Sequence, residues 1–509
     1  MTITQHELEP TQPELQDMDL ETFRRYGYQV VDWIAEYLAH IDEYSVLSQV
    51  EPGDIKNQLP SQPPDGPEPM ARILDDFERV IIPGITHWNH PSFFAYFGIT
   101  GSMPGILGEL LSAALNVNGM LWKTSPAATE LEELTLDWLR QMLGLPAGFR
   151  GVILDTASMS SLIAIAAARE ALDLDIRRKG MAGRPDLPRL RMYTSEQAHS
   201  SIEKGAITLG IGQAGVRKVP TDDAFRMDAQ ALAQAIEEDI AAGWRPFCVA
   251  ATVGTTSTTS IDPVPQIAEI CQKHDLWLHV DGAYGGMAAV VPEMRHVLAG
   301  CQHADSIVVN PHKWLFTPID CSAFYVRDPD ILKRTFSLIP EYLTSSEDDV
   351  TNYMDWGVQL GRRFRALKLW MVIRFFGHEG IAARIREHIR LGQHVAQQVD
   401  VDPDFERLAP TPFSTVCFRA QPRDLAERLE KAGPDETREI ETYLDELNEA
   451  AIDAVNATGR AFFSHTKLNG RYTIRMAIGN IRSDEAHVAR AWELIREHAL
   501  RIDSVKRET

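Results

Sequence analysis

Lys313 stands in Asn310-Pro311-His312-Lys313-Trp314, directly after the apolar run Ser306-Ile307-Val308-Val309, which puts one amine just beyond a buried strand. An amine in a partly desolvated cleft has its pKa lowered, and the neutral fraction can condense with a carbonyl. Upstream, Trp277-Leu278-His279-Val280 is a second apolar strand that ends in the carboxylate of Asp281. An unpaired carboxylate there would cost roughly several kcal/mol in lost hydration, so Asp281 needs a positive partner. An arginine in a structural salt bridge would serve, and so would the protonated ring nitrogen of a heterocycle. An amine for an aldehyde and an anion for a ring nitrogen, at neighbouring strand ends, are what pyridoxal 5'-phosphate (PLP) requires.

Three more segments fit that cofactor without demanding it. Asp155-Thr156-Ala157-Ser158-Met159-Ser160-Ser161 follows the strand Val152-Ile153-Leu154 and opens a helix with small and hydroxylic residues. Amide and hydroxyl donors at a helix start suit a phosphate, although simple helix capping explains the same residues. His199 follows the short strand Arg191-Met192-Tyr193-Thr194, where an imidazole could stack on a pyridine ring. Taken alone, a lone histidine is better explained as a satisfied core or surface residue. Thr255 and Thr256 end the strand Val249 to Val253 and are either cofactor contacts or plain turn residues.

The elements that carry these groups alternate between strand and helix signals: Val152–Leu154, a helix from Ser158 to Leu172, Met192-Tyr193, Phe247–Val253, a helix Ile267–Lys273, Trp277–Val280 and Ser306–Val309. Such alternation predicts an α/β fold with a mainly parallel sheet, and in open sheets of this kind ligands sit at the carboxyl ends of strands. Asp281 and Lys313 both fall there. Before this region, Leu20 to Ile41 and Met70 to Ile82 read as helices, separated by the proline-rich connector Pro60–Pro67. Ser125-Pro126 caps a helix that stops before Leu145-Pro146. Beyond Leu369, helices Ile381–Val399 and Thr437–Ala457 interleave with strands Thr415–Phe418 and Tyr472–Ile478, an α+β lobe.

With 509 residues, 44% of them hydrophobic, the chain has material for two or three lobes. A formal net charge of −22 argues against nucleic acid or an anionic membrane as partner. No apolar run approaches the ~20 residues of a membrane span, and the polar start MTITQHELEP lacks a signal peptide's features, so a cytoplasmic protein is expected. Cys248, Cys271, Cys301, Cys321 and Cys417 are widely spaced with no CxxC pair, which predicts buried free thiols and no metal site.

Ordered blocks along nearly the whole chain resemble the group II PLP-dependent amino acid decarboxylases, most of all those acting on aromatic L-amino acids. They include Thr86-His87-Trp88, Phe93-Phe94-Ala95-Tyr96-Phe97, Ser125-Pro126-Ala127-Ala128-Thr129-Glu130-Leu131-Glu132, Ala198-His199-Ser200-Ser201 and His279-Val280-Asp281-Gly282-Ala283-Tyr284. Asn310-Pro311-His312-Lys313-Trp314, Gly361-Arg362-Arg363-Phe364-Arg365 and His487–Glu493 complete the likeness. The resemblance implies a type I PLP, aminotransferase-like fold with a seven-stranded sheet, working as an intertwined homodimer on a small-molecule amino acid. It implies an N-terminal helical arm (1–102) packed on the other subunit, a large PLP-binding domain (103–370) and a small C-terminal domain (371–509).

Carried over by position, Lys313 takes the cofactor aldehyde, Asp281 pairs with the ring nitrogen, His199 stacks on one ring face and Ala283 packs on the other. Ala157, Ser158, Ser306, Asn310 and His312 match phosphate-side positions, Thr256 lies near the cofactor, and Arg475 matches a family arginine. Tyr342, in Pro340-Glu341-Tyr342-Leu343, matches a mobile-loop tyrosine that returns a proton to the substrate α-carbon, with the acidic stretch Thr344–Asp349 behind it. Relatives that oxidatively deaminate to aldehydes carry phenylalanine at this position, so Tyr342 favours simple decarboxylation. Trp88, Tyr96, Phe97, Met120 and Gly361 match the substrate pocket. Gly98-Ile99 replaces a proline-threonine pair of the animal enzymes, and Asn118 and Met120 replace isoleucine and phenylalanine, which leaves the pocket apolar but reshaped. Tyrosine, tryptophan, DOPA or phenylalanine is the expected substrate, with a bulky aliphatic amino acid as the alternative. Aldehyde formation is the rival chemistry, and a silent homologue acting as a scaffold is the non-enzymatic rival, opposed by Lys313, Asp281, His199 and Tyr342 together.

Overall fold

Short apolar runs separated by amphipathic helices assemble into a seven-stranded sheet in the computed structural model, which describes residues 17–338 and 350–508. The strands are β1 (Arg150–Leu154), β2 (Arg189–Ser195), β3 (Val216–Val219), β4 (Trp244–Thr252), β5 (Trp277–Asp281), β6 (Ser306–Val309) and β7 (Ser322–Val326), in the order β1-β7-β6-β5-β4-β2-β3. All run parallel except β7, which is antiparallel to both neighbours. Only the single turn of helix Pro311–Trp314 lies between β6 and β7. That is too little chain for a helical crossover, so β7 returns beside β6 in the opposite sense.

β6 and β7 are buried along their whole length, as runs of Val, Ile, Ala and Phe require in a sheet covered on both faces. One face packs on the helix Ala157–Glu170, where Ile163, Ala164 and Ala167 meet Val152, Val308 and Phe324. The other face buries Leu278, Val280, Ile307 and Val309 with Leu136 and Leu139 of the helix Pro126–Leu143. That helix starts as its sequence requires, with Ser125 Oγ accepting from the Ala128 amide and proline in the first turn, and it ends at Gly144 with φ +73°.

A second sheet contains β8 (Phe405–Arg407), β9 (Thr415–Ala420), β10 (Ser464–Leu468) and β11 (Arg471–Ala477), ordered β10-β11-β9-β8 and antiparallel throughout. Helices Arg365–Val401, Pro434–Ala457 and Glu485–Glu508 contribute Val395, Leu444, Leu447, Val488 and Ile495 to the core it shares with Phe418, Ile474 and Met476. The first of these helices is longer than its sequence pattern suggests. Gly377, with φ +65°, interrupts it between one buried apolar stretch, Ala366, Leu369, Val372 and Ile373, and a second that starts at Ile381.

The chain divides into two compact units, Met1–Tyr44 with Ser48–Ile85, and Ser45–Leu47 with Thr86–Thr509. Within the smaller unit the helix Leu20–Ala39 is capped by Asp19, whose carboxylate accepts from the Glu21 and Thr22 amides. Trp33 stacks on Tyr37 at 5.2 Å and meets Phe77 edge-on at 5.0 Å. The helix expected from Met70 runs as α-helix to Asp76 and continues in a wider turn to Ile81. Neither helix nor strand forms over the proline-rich connector. No helix among the described residues is long and apolar enough to cross a membrane.

Candidate active site

The sheet register brings the two leading residues to one edge. β5 and β6 are parallel neighbours with Asp281 opposite Val308, so Asp281 ends one strand and Lys313 lies one turn beyond the next. The Asn310 amide donates to Ala283 O (3.2 Å) and the Lys313 amide to Asn310 O (2.9 Å), which ties the two strand exits together. Asp281 is 5% exposed. Its Oδ1 accepts from the Ala283 amide at 3.0 Å, and its Oδ2 has no hydrogen bond and no ion pair among the described residues. Burial lowers the pKa of Lys313, Asp281 partly opposes that shift, and Arg475 adds to it. The arginine salt bridge that would have explained Asp281 away is missing among the described residues.

His199 caps the helix Ser200–Thr208, and its Nδ1 accepts from the Ser201 amide at 3.1 Å. A nitrogen that accepts from an amide carries no proton, so the neutral ring bears its hydrogen on Nε2. Burial pushes its pKa down, with Asp281 pulling the other way and Lys313 adding to the fall. His312 shows the same logic. Its Nδ1 accepts from the Cys321 amide at 2.9 Å, which leaves Nε2–H as a donor, and burial drops its pKa to about 3.

Beyond β1, on the far side of β7 from β6, the helix Ala157–Glu170 begins with no side-chain cap from Thr156, so its first amides are open. Ser160 and Ser322 hydroxyls lie 3.1 Å apart, and the Ser322 hydroxyl donates to Asn310 Oδ1 at 2.7 Å. That chain spends the acceptor of Asn310 and leaves its NH2 as donor. Open helix amides, the Asn310 NH2 and His312 Nε2–H are all donors, the set that a phosphate dianion needs. Among the described residues Asp281 Oδ2 is in no ion pair with a cation and Lys313 is in none with a carboxylate. The residues therefore fit PLP.

Phe97 forms a shelf beside the amine, its ring centre 5.2 Å from Lys313 Nζ and 4.4 Å from Arg475 Cζ. Behind it Tyr284 stacks at 4.0 Å and Trp314 on Tyr284 at 4.6 Å, a pile of rings that backs the lysine turn. Trp88 stacks on Phe93 at 4.4 Å and on Tyr96 at 5.9 Å. Tyr96 has φ +50°, and it is held there by Arg475, which donates to its carbonyl, and by Ser464 Oγ, which accepts from its amide at 3.1 Å. Gly98 follows because a Cβ there would stand 3.0 Å from the Gly479 backbone.

Some of the other expected site residues join this cluster and some do not. Ser306 is at the start of β6, and its hydroxyl binds the Trp277 indole (3.0 Å) and His279 Nδ1 (2.9 Å). The Ala283 amide donates to Asp281 Oδ1, Ala157 and Ser158 open the helix noted above, and Thr256 lies exposed in its loop with no hydrogen bond among the described residues. Met120 and Gly361 form a separate group with Asn118: the Met354 amide donates to Met120 O at 3.1 Å, the Arg362 amide to Asn118 Oδ1 at 2.9 Å, and Gly361 lies beside Asn118 Nδ2. No hydrogen bond, ion pair or ring contact among the described residues joins that group to Lys313, Asp281, His199 or Phe97. Tyr342 lies outside the described residues. Of the Ser160–Ser322–Asn310 chain, Ser322 was not read from the sequence, because it reaches Asn310 only through the pairing of β7 with β6.

The conserved domain of pyridoxal-dependent decarboxylases matches residues 52–421. Phenylacetaldehyde synthase of Arabidopsis thaliana is 41% identical over 496 residues, 95% of this chain and 97% of its own length. Tyrosine decarboxylase 2 of Arabidopsis thaliana is 41% identical over 501 residues, 96% of this chain and 88% of its own. The crystal structure of Oryza sativa TDC with PLP and tryptamine superimposes with a TM-score of 0.89 at 37% identity, covering 96% of this chain and 99% of that one. Fold, donor set and similarity agree, and the chain belongs to the pyridoxal-dependent decarboxylases, carboxy-lyases of type I PLP fold with PLP as cofactor.

Proposed function

We propose that this enzyme decarboxylates an aromatic L-amino acid to its amine and carbon dioxide, on the residues described above. The observation that carries the substrate class is the Phe97 ring beside the Lys313 amine, with Tyr96, its neighbour in the chain, stacked on Trp88. Relatives named for tyrosine decarboxylation and a structure holding tryptamine support it. Bound PLP supplies an aldehyde for the substrate amine and a ring that takes up the electron pair left when carbon dioxide departs.

The chain's own residues do the rest. Lys313 offers an amine whose lowered pKa raises its neutral fraction. With PLP bound, Asp281 Oδ2 would accept from the protonated ring nitrogen, His199 would present its neutral ring face, and Ala157, Ser158, Asn310 and His312 would hold the phosphate. Tyr342 delivers the proton to the substrate α-carbon. A phenylacetaldehyde synthase among the relatives raises aldehyde formation as the second reading, and Tyr342 supports simple decarboxylation over it.

The exposed apolar side chains Met103, Leu107, Leu110, Leu111 and Leu115 on the helix Met103–Leu115 support a homodimer. In that assembly the Asn118, Met120 and Gly361 group completes the pocket of the other subunit. Five free, buried cysteines support a cytoplasmic enzyme.

Incubating the holoenzyme with tyrosine, tryptophan, DOPA, phenylalanine and leucine tests the reading. Carbon dioxide and amine in equal amounts from an aromatic substrate are expected. Preference for leucine would overturn the substrate class, and ammonia with peroxide in place of amine would overturn the reaction.

A further inference from the structure

β5 alternates its side chains, so Trp277, His279 and Asp281 share the face toward the helix Ala157–Glu170, while Leu278 and Val280 face the opposite core. His279 is fully buried and pairs in register with Ser306 of β6. An indole N–H can only donate, whereas a hydroxyl both donates and accepts. Trp277 Nε1 donates to Ser306 Oγ at 3.0 Å, and the same hydroxyl lies 2.9 Å from His279 Nδ1. With that hydroxyl donating to Nδ1, the neutral His279 ring carries its proton on Nε2. That Nε2 is buried with no partner among the described residues.

A buried imidazole N–H left without an acceptor is costly, and native proteins use a water or a nearby anion to meet it. The next side chain on the same strand face is Asp281, whose Oδ2 is the open oxygen. The two groups feel each other, since the Asp281 charge favours protonation of His279 against its burial. We propose that the Ser306 hydroxyl donates to His279 Nδ1 and that His279 is a positioning residue for Asp281, its Nε2–H reaching the carboxylate through one buried water, so that Trp277, Ser306 and His279 form a relay that keeps Asp281 aimed at the cofactor ring.

The relay makes Ser306, expected on the phosphate side, a support for the ring-nitrogen anion instead. Other titratable groups acting on Asp281 are His199, at the start of the helix Ser200–Thr208, and Lys313, beyond β6. The buried face of the helix Ala157–Glu170 presents Ser160, Ser161, Ile163 and Ala164, none of which titrates. His279 alone among the titratable groups shares the strand with Asp281.

This inference rests on Asp281 holding the ring nitrogen, and the test separates the two. PLP affinity of the wild-type protein, His279→Phe, His279→Gln, Ser306→Ala and Asp281→Asn is measured from pH 5 to 8, together with the 15N shift of bound ring-labelled cofactor. Without the relay Asp281 holds the protonated ring less firmly, so the acid limb of PLP affinity in His279→Phe should move up by about one pH unit. Affinity at pH 6 should fall about tenfold, with the 15N shift moving toward that of an unprotonated ring. His279→Gln, which keeps an N–H donor, should restore most of both.

Ser306→Ala leaves the imidazole in place but frees its tautomer, and it should show a smaller shift in the same direction even where His279→Phe folds poorly. An unchanged acid limb in His279→Phe, or His279→Gln no better than His279→Phe, overturns the relay. If Asp281→Asn also leaves the limb and the 15N shift unchanged, it is the role of Asp281 that fails.

Discussion

Two buried carboxylates lie beside the same sheet and end differently. Glu132, on the helix Pro126–Leu143, meets Arg362 at 2.6 Å with both side chains 5% exposed, and the same oxygen accepts from the Ile153 amide at 2.8 Å. Arg362 also donates to Ile153 O at 2.8 Å and lies over the Tyr353 ring at 4.5 Å. Asp281 is as deeply buried, yet it has one amide donor and no cation among the described residues. A complete pair anchors chain segments far apart in sequence. An incomplete one is a socket for a charge that comes from outside the polypeptide, and the difference marks structural from functional acid at equal burial.

The widest separation between these regions should come from the socket. Lys313→Ala should lower the turnover number by about 10³-fold or more and abolish the colour that borohydride fixes, and Asp281→Asn should lower it by roughly 10² to 10³-fold. Neither should lower the unfolding midpoint of the apoprotein, because each removes a buried charge without a partner. A Lys313→Ala protein that turns over at the native rate, or an apoprotein markedly destabilised by Asp281→Asn, would erase the contrast.

The complete pair should respond the other way round. Glu132→Gln leaves Arg362 buried without its anion and should cost about 3–5 kcal/mol in chemical denaturation, with turnover per folded molecule within a few-fold of wild type. A double Glu132→Leu, Arg362→Met replacement should recover much of that loss. If the single variant kept its stability but lost its turnover, the pair would belong to the site.

A smaller effect sharpens the contrast with groups kept neutral. His279 and His388 have pKa values lowered to about 4, and His312 to about 3, all chiefly by burial. The unfolded chain protonates its histidines near about 6.5, so between these values it binds more protons than the folded state. Stability therefore rises with pH and is lost as pH falls from about 6.5 toward 4, at about 1.4 kcal/mol per unit for each histidine. Asp262, raised to about 6 by burial, and Asp305, also raised by burial, tilt the opposite way, two groups against these three. The denaturation midpoint of the apoprotein should drop steadily from pH 6.5 to 5, and a flat profile would show that these rings are already charged.

Much of this was legible in the chain because burial and period leave a local mark. The strands around Leu154, Val280 and Val309 were visible as apolar runs, and the helix after Ser125 was visible from its cap. β3, β7, β8 and β10 were not read, since they are short or take their identity from the strands beside them. Among site residues, Lys313 and Asp281 announced themselves by polar chemistry at apolar strand ends. Ser306 did not, because which way a hydroxyl points depends on a register that no segment contains.

Composition, periodicity and the few polar residues at strand ends determined that an α/β sheet would carry an amine and a carboxylate at one edge, as these are properties of consecutive residues. Tertiary structure alone decided which carboxylate acquired an arginine and which was left open, that Phe97, Tyr284 and Trp314 would stack behind the lysine, and that Met120 and Gly361 would gather apart from it. Each of those outcomes joins residues brought close only when strands and helices pack, and local sequence does not encode distances across a sheet.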